Sequence, residues 1–144
     1  MKIVICASLA FKNEILSTAD QLRQMGFEVQ TPFTVGQAVN EHIEDIKDWL
    51  ANMSEAEFLD LKEDRMRLHF DKIDQADAIL VLNYDKNGQV NYIGGNVLIE
   101  MGYAFSQYKI IFMLRGCPDV NYTEEIKGMK PIVIDGDLDK IKYK

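Results

Sequence analysis

The apolar runs of this chain are short and continuous, where a half-exposed strand would alternate. Ile3-Val4-Ile5-Cys6, Ala78-Ile79-Leu80-Val81-Leu82 and Ile110-Ile111-Phe112-Met113-Leu114 have no polar residue among them. Such runs belong to strands buried on both faces, which means a parallel sheet with helices on either side. Lys2 to Cys6, Phe27 to Thr31 (stopped by Pro32), Ala78 to Leu82, Ile110 to Leu114 and Pro131 to Ile134 are therefore the expected strands. A helix fits from about Asn13 to Met25, because Ile15, Leu16, Ala19 and Leu22 keep the 3.6-residue period and Gly26 suits the position after its end. Gln37 to Leu50 reads as a second helix. Ser54-Glu55-Ala56-Glu57 is a capping box that opens a third, running to Gln75. A helix from Gly94 to Tyr108 completes a βαβααβαβ(α)β order, expected as one α/β domain over residues 1–144 with helices on both faces.

Composition narrows the function. The chain is 47% hydrophobic, enough for a sizeable core, and its net charge of -7 argues against a general basic surface for nucleic-acid polymers or anionic membranes. No apolar run approaches the roughly 20 residues of a membrane span. A strand at Met1 to Cys6 in place of a signal peptide, and Cys6 and Cys117 without metal-ligand spacing, suggest free thiols and a cytoplasmic protein. Neither a Walker pattern nor GxGxxG occurs, and no metal or cofactor is expected.

The segment Gly94-Gly95-Asn96-Val97-Leu98-Ile99-Glu100-Met101-Gly102-Tyr103-Ala104 follows a buried strand and a long polar loop. In open α/β sheets, ligands bind in the crevice beyond the strand C-termini, and a glycine turn into a helix lies there. Glu100 is the one acid in that helix, near enough to its start for the positive helix end to keep it ionised. At 100° per residue, Val97, Leu98, Met101, Ala104, Phe105 and Tyr108 form the sheet-facing stripe, with Glu100 at its edge. The other side carries Gly95, Ile99, Gly102, Tyr103 and Ser106, a small-residue face suited to a second helix, expected to be its twin in a homodimer. In the preceding loop, Asn87-Gly88 signals a turn, so Asn83 to Tyr92 is expected as a small hairpin over the crevice. Asp85 is a candidate second acid, and Tyr84 or Tyr92 a candidate aromatic wall. A solvated loop without ligand role is the alternative. Ala7 and Ser8, after the first strand, are placed where backbone amides commonly hold phosphate.

These residues resemble the nucleoside 2-deoxyribosyltransferase-like superfamily, which includes 2′-deoxynucleoside 5′-monophosphate N-glycosidases. The resemblance rests on Cys6-Ala7-Ser8 after the first strand, Ala76-Asp77-Ala78-Ile79-Leu80-Val81, Glu100-Met101-Gly102-Tyr103-Ala104, and Lys109-Ile110-Ile111. With the right-handed crossover rule it implies a flavodoxin- or Rossmann-like, five-stranded parallel sheet of order 2-1-3-4-5. It implies that Glu100 is a nucleophile attacking the anomeric carbon of a 2′-deoxyribonucleoside or its 5′-monophosphate through a covalent glycosyl intermediate. It also implies a substrate site including Asn83, Gly94, Gly95 and Asn96, and oligomers whose pockets a neighbouring chain completes. The sequence departs from the family at three supporting positions. Val4 stands where many members have tyrosine, His69 where many have aspartate, and Gly94 where the transferases have an acid. His69 is then the candidate proton donor to the leaving base. A nucleotide-binding module with the pocket and no turnover is the alternative function.

Overall fold

The computed structural model describes residues 1–141. Among them the chain runs β1 (Lys2–Cys6), a 3-10 turn at Leu9–Phe11, α1 (Lys12–Gln24), β2 (Glu28–Gln30), α2 (Phe33–Asn40), α3 (Ile46–Ala51) and α4 (Glu55–Asp74). Then follow β3 (Ala78–Val81), α5 (Gly95–Ser106), β4 (Ile110–Met113), α6 (Thr123–Gly128), β5 (Ile132–Val133) and a closing 3-10 turn at Leu138–Lys140. The five strands form one parallel sheet in the order β2-β1-β3-β4-β5, as expected.

Alternation along the strands divides the core into two layers. Ile3, Ile5, Ala78, Leu80 and Phe112 face α1, where Ile15, Ala19 and Leu22 meet them. Val4, Cys6, Ile79, Val81, Ile111 and Met113 face the other way, against Ile73 at the end of α4 and Val97, Met101 and Ala104 of α5. The runs are continuous because both faces are covered. Cys6, last in β1 and paired with Val81, thus points toward the α4–α5 side at the C-terminal edge of the sheet.

Local chemistry sets the helix ends. Gly26 takes φ 96° after α1, and the Phe27 amide donates to the Leu22 carbonyl, a closure that requires a left-handed residue. Ser54 Oγ accepts from the Glu57 amide at 3.1 Å and starts α4. The helix expected over Gln37 to Leu50 is instead two. Pro32 lets α2 begin earlier, at Phe33. His42, at φ 56°, closes it as Gly26 closes α1, with the Ile43 amide on the Ala38 carbonyl. Asp45 then caps α3 through the Asp48 amide. No glycine marks that break, so periodicity runs straight through it. The same closure corrects the end of α5. Tyr108 is left-handed at φ 57°, the Lys109 amide returns to Ala104, and Tyr108 is 97% exposed. Phe105, also expected on the sheet side, is 51% exposed.

The loop after β3 folds as a two-residue hairpin turn. Lys86 and Gln89 exchange both backbone hydrogen bonds around Asn87 (φ 51°) and Gly88 (φ 78°). At its root Asn83 is fully buried. Its Nδ2 donates to the carbonyls of Arg115 (3.2 Å) and Gly116 (3.0 Å), and its Oδ1 accepts from the Arg115 amide at 2.9 Å. That one side chain ties the ends of β3 and β4 together. Asn83→Ala should cost about 2–3 kcal/mol by urea unfolding, because it removes three hydrogen bonds to part-buried backbone groups at once. A loss under 0.5 kcal/mol would show that water replaces the clamp.

Candidate active site

A crevice opens at the C-terminal ends of β1 and β3, where neighbouring strands are reached in opposite directions and the loops beyond them diverge. Its inner part is a cavity of about 110 Å³ lined by Ala7, Lys62, Met66, His69, Asn96 and Glu100, among others. An outer trough of about 1420 Å³ adjoins it through Leu9, Leu50, Phe58, Lys62, Met66 and Asn96, which line both. Ser8, Lys86, Tyr92, Gly94 and Gly95 lie along the trough.

The walls follow from sequence spacing. Lys62, Met66 and His69 are four and three residues apart on α4, so they share one face and turn it to the cavity. Arg65 lies between them and is held by Thr34 Oγ1 (3.3 Å) and Gln37 Oε1 (2.8 Å), which fixes α2 against α4. Its guanidinium covers the Phe33 ring at 4.3 Å. Gly94 leaves room for the tip of the Tyr92 side chain, which a Cβ there would displace. Lys86 Nζ lies 4.8 Å from the same ring and donates to Ser8 Oγ at 3.0 Å. The hairpin is thereby fastened to the segment after β1.

At the floor three side chains converge. His69 Nε2 is 3.3 Å from Cys6 Sγ and 3.6 Å from Glu100 Oε2, and the three donor atoms all lie within 4.8 Å of one another. Glu100 does not sit in the first turn of α5. The expected support from the helix end is therefore absent. Burial instead raises its pKa to about 8, against the opposing effects of the Cys6 hydrogen bond and the charge of Lys62. Burial, with Lys72 nearby, lowers His69 to about 4. Burial also pushes the Cys6 thiol well up. At neutral pH the trio is thus mostly uncharged, and His69–Glu100 is a contact between neutral groups. A single imidazole nitrogen faces both neighbours, so the arrangement is not a nucleophile–base–acid relay, which needs both nitrogens.

The other expected site residues are distributed unevenly. Ala7, Ser8, Tyr92, Gly94, Gly95 and Asn96 line the cavity or the trough. Asp85 turns away. It accepts from the Asn91 amide at 2.9 Å, lies 3.6 Å from Arg115, and borders neither space. Tyr84 packs edge-on against Phe11 beneath Arg115, and Asn83 is the buried clamp. Of the outer face of α5, Tyr103 already has a helical neighbour within the chain. It stacks on Phe70 of α4 at 4.4 Å and donates to Asp74 at 2.7 Å. Ile99 remains 48% exposed, Gly95, Gly102 and Ser106 are exposed, and Ser106 donates to the Tyr103 carbonyl. Cys6, Lys62 and Met66 were not singled out from sequence. The signal available was the position of Cys6 at the end of a strand and the spacing of 62, 66 and 69.

A carboxyl held above its ordinary pKa destabilises the fold once it ionises. The native state binds the proton more tightly than the unfolded chain, so this contribution is full below about pH 4.5 and is lost as pH rises through about 8. Glu100→Gln cannot ionise. In chelator its Tm should match wild type near pH 5 and exceed it by several degrees near pH 9. A constant difference across that range would show that Glu100 titrates normally.

No protein-family model matches this sequence, and no curated protein matches it by sequence. Among solved structures, a 2-deoxyribosyltransferase from the psychrotolerant bacterium Bacillus psychrosaccharolyticus is similar with a TM-score of 0.49 and 15% identity, over 79% of this chain and 72% of that one. The CMP N-glycosidase BcmB of Clostridium botulinum is similar with a TM-score of 0.50 and 16% identity, over 92% of this chain and 83% of that one. Across nearly its whole length, then, this chain shares its fold with a CMP N-glycosidase.

Proposed function

We propose that this protein cleaves or transfers at the N-glycosidic bond of a 2′-deoxyribonucleoside or its 5′-monophosphate. The observation that carries the reading is Glu100, a largely buried carboxyl in the wall of the crevice at the strand C-termini, in a fold shared with a CMP N-glycosidase. The carboxylate attacks the anomeric carbon while the base departs, and water or a second base resolves the glycosyl ester. Cys6 and Lys62 favour the ionised form that attacks. His69 fits a role in positioning Glu100 better than one as acid, since a ring with pKa about 4 holds no extra proton at pH 7. Asn96 and the Tyr92 ring line the trough, and Lys86 with Ser8 offers an ammonium and a hydroxyl there to a 5′-phosphate.

The test is release of free base from each deoxynucleoside and monophosphate, by chromatography, in chelator. Wild type should release base, and Glu100→Gln should lose several orders of magnitude of rate while staying folded. Because only about a tenth of Glu100 is ionised at pH 7, the rate should climb with pH and level above about 8. Undiminished release by Glu100→Gln would overturn the assignment. A binding module without turnover is the second reading. It is favoured by the mostly protonated state of Glu100 and by the fully buried, apolar Val4 at the family's tyrosine position. Binding of a nucleotide with no release of base would establish it.

Self-association belongs to the same proposal. Ile99 and the exposed glycines Gly95 and Gly102 leave one side of α5 open to close helix approach. Two such faces related by a two-fold axis give a homodimer. Ile99→Asp should then sediment as monomer where wild type sediments as dimer, and a monomeric wild type at micromolar concentration ends the idea.

A further inference from the structure

Cys6, His69 and Glu100 come from three different elements and turn three different donor types toward one point. A thiol, an imidazole nitrogen and a carboxyl oxygen meet at the floor of an open cavity. We propose that they form a three-ligand site for a thiophilic divalent cation of the Zn²⁺ class, with its fourth position facing the cavity.

Geometry carries the proposal. Tetrahedral Zn²⁺ with ordinary bond lengths separates sulfur, nitrogen and oxygen ligands by about 3.4–3.6 Å. Here sulfur to nitrogen is 3.3 Å and nitrogen to oxygen 3.6 Å, with every donor pair within 4.8 Å. Small side-chain adjustments bring all three into a coordination sphere. The shared use of Nε2 agrees with this. One nitrogen directed between a sulfur and an oxygen is poorly used by hydrogen bonding, because it can carry only one proton. It is well used by an ion lying between them. Charge agrees as well, since thiolate and carboxylate together neutralise a divalent cation and no net charge is buried at the centre. His69 and Glu100 both line the cavity, so the open position has space for water. Lys62, whose charge acts on Glu100, and Lys72, whose charge acts on His69, oppose the ion and hold affinity below that of an all-anionic site.

This inference rests on the glycosyl-transfer reading only in sharing Glu100. An ion on that carboxylate withdraws the negative charge the attack needs and makes the metal-loaded protein the less active form. Binding is measured without nucleoside, so a failure of metal binding and a failure of base release are separate results. Full-chain protein stripped with chelator and kept reduced is titrated with Co²⁺, then with Zn²⁺. The expected result is a thiolate-to-Co²⁺ charge-transfer band that saturates at one equivalent per chain and vanishes as Zn²⁺ displaces Co²⁺. Cys6→Ser should abolish the band, and His69→Gln should weaken Zn²⁺ binding at least tenfold by calorimetry. Circular dichroism of both variants shows that they are folded, and the wild-type band tests thiolate ligation even if Cys6→Ser does not fold. No charge-transfer band in wild type would overturn the proposal. So would a band that survives in folded Cys6→Ser, or Zn²⁺ affinity unchanged in folded His69→Gln, since the ion would then be held elsewhere.

Discussion

The parallel pairing of β1 with β3 is the constraint on which the rest depends. Its register, Ile3 with Ala78 through Cys6 with Val81, sends α4 into β3 and α5 out of it against one face of the sheet. A right-handed crossover permits little else. His69 lies near the end of the helix that precedes β3, and Glu100 lies within the helix that follows it. Both are brought above the last residue of β1. The three-residue floor is therefore a consequence of strand pairing, though its members are separated by 63 and 31 positions in sequence. The Asn83 clamp secures the same geometry from the next strand, joining the ends of β3 and β4 where the hairpin departs.

Placing three titratable groups in one apolar recess is expensive. Lone burial of ionised groups costs several kcal/mol each, and proteins usually respond by shifting pKa values until the groups are neutral. All three respond that way, with Glu100 and Cys6 raised and His69 lowered. Neighbouring residues leave the compromise incomplete. The Cys6 thiol and Lys62 both favour ionised Glu100, and the cavity admits solvent to a side chain still 16% exposed. A purely structural acid would have been cheaper as Gln. What this arrangement gains is a carboxyl that ionises at modest alkaline pH.

Much of the fold was readable because each signal was local. Continuous apolar strands, Gly26 after α1, the Ser54 cap and the Asn87-Gly88 turn each act within a few residues. What was not readable depended on contacts distant in sequence. His42 and Tyr108 adopt left-handed backbone without being glycine, so neither helix end was marked. The apolar Phe105 and Tyr108 look like core by period, yet lie beyond the area that the sheet covers. For the site, Glu100 stood out because it is alone in an apolar helix. Asp85 was only a candidate second acid from its place in the loop, and its carboxylate accepts from the Asn91 amide within that loop. Tyr103, expected at an interface with a second chain, also stacks on Phe70 of its own chain, a contact between residues 33 positions apart that periodicity does not reveal. Cys6 gave no metal signal because spacing motifs describe ligands on one or two local elements, while these lie on three.

Val4 and Cys6 show what β1 contributes to the floor of the crevice. They lie two residues apart on β1 and so share a face, the one turned toward α4 and α5. Val4 is fully buried in the apolar layer with Ile79 and Met101, and offers nothing polar to Glu100. Cys6, one step closer to the strand's end, supplies the polar neighbour from β1 in its place. A thiol is a weaker and softer partner than a phenol. It perturbs the carboxyl less by hydrogen bonding, and it brings a sulfur beside the imidazole. With valine at position 4 and cysteine at position 6, the polar group that β1 brings to the floor is a thiol. Burial still holds Glu100 mostly protonated at neutral pH, and the Cys6 sulfur gives the floor the donor set of a metal site.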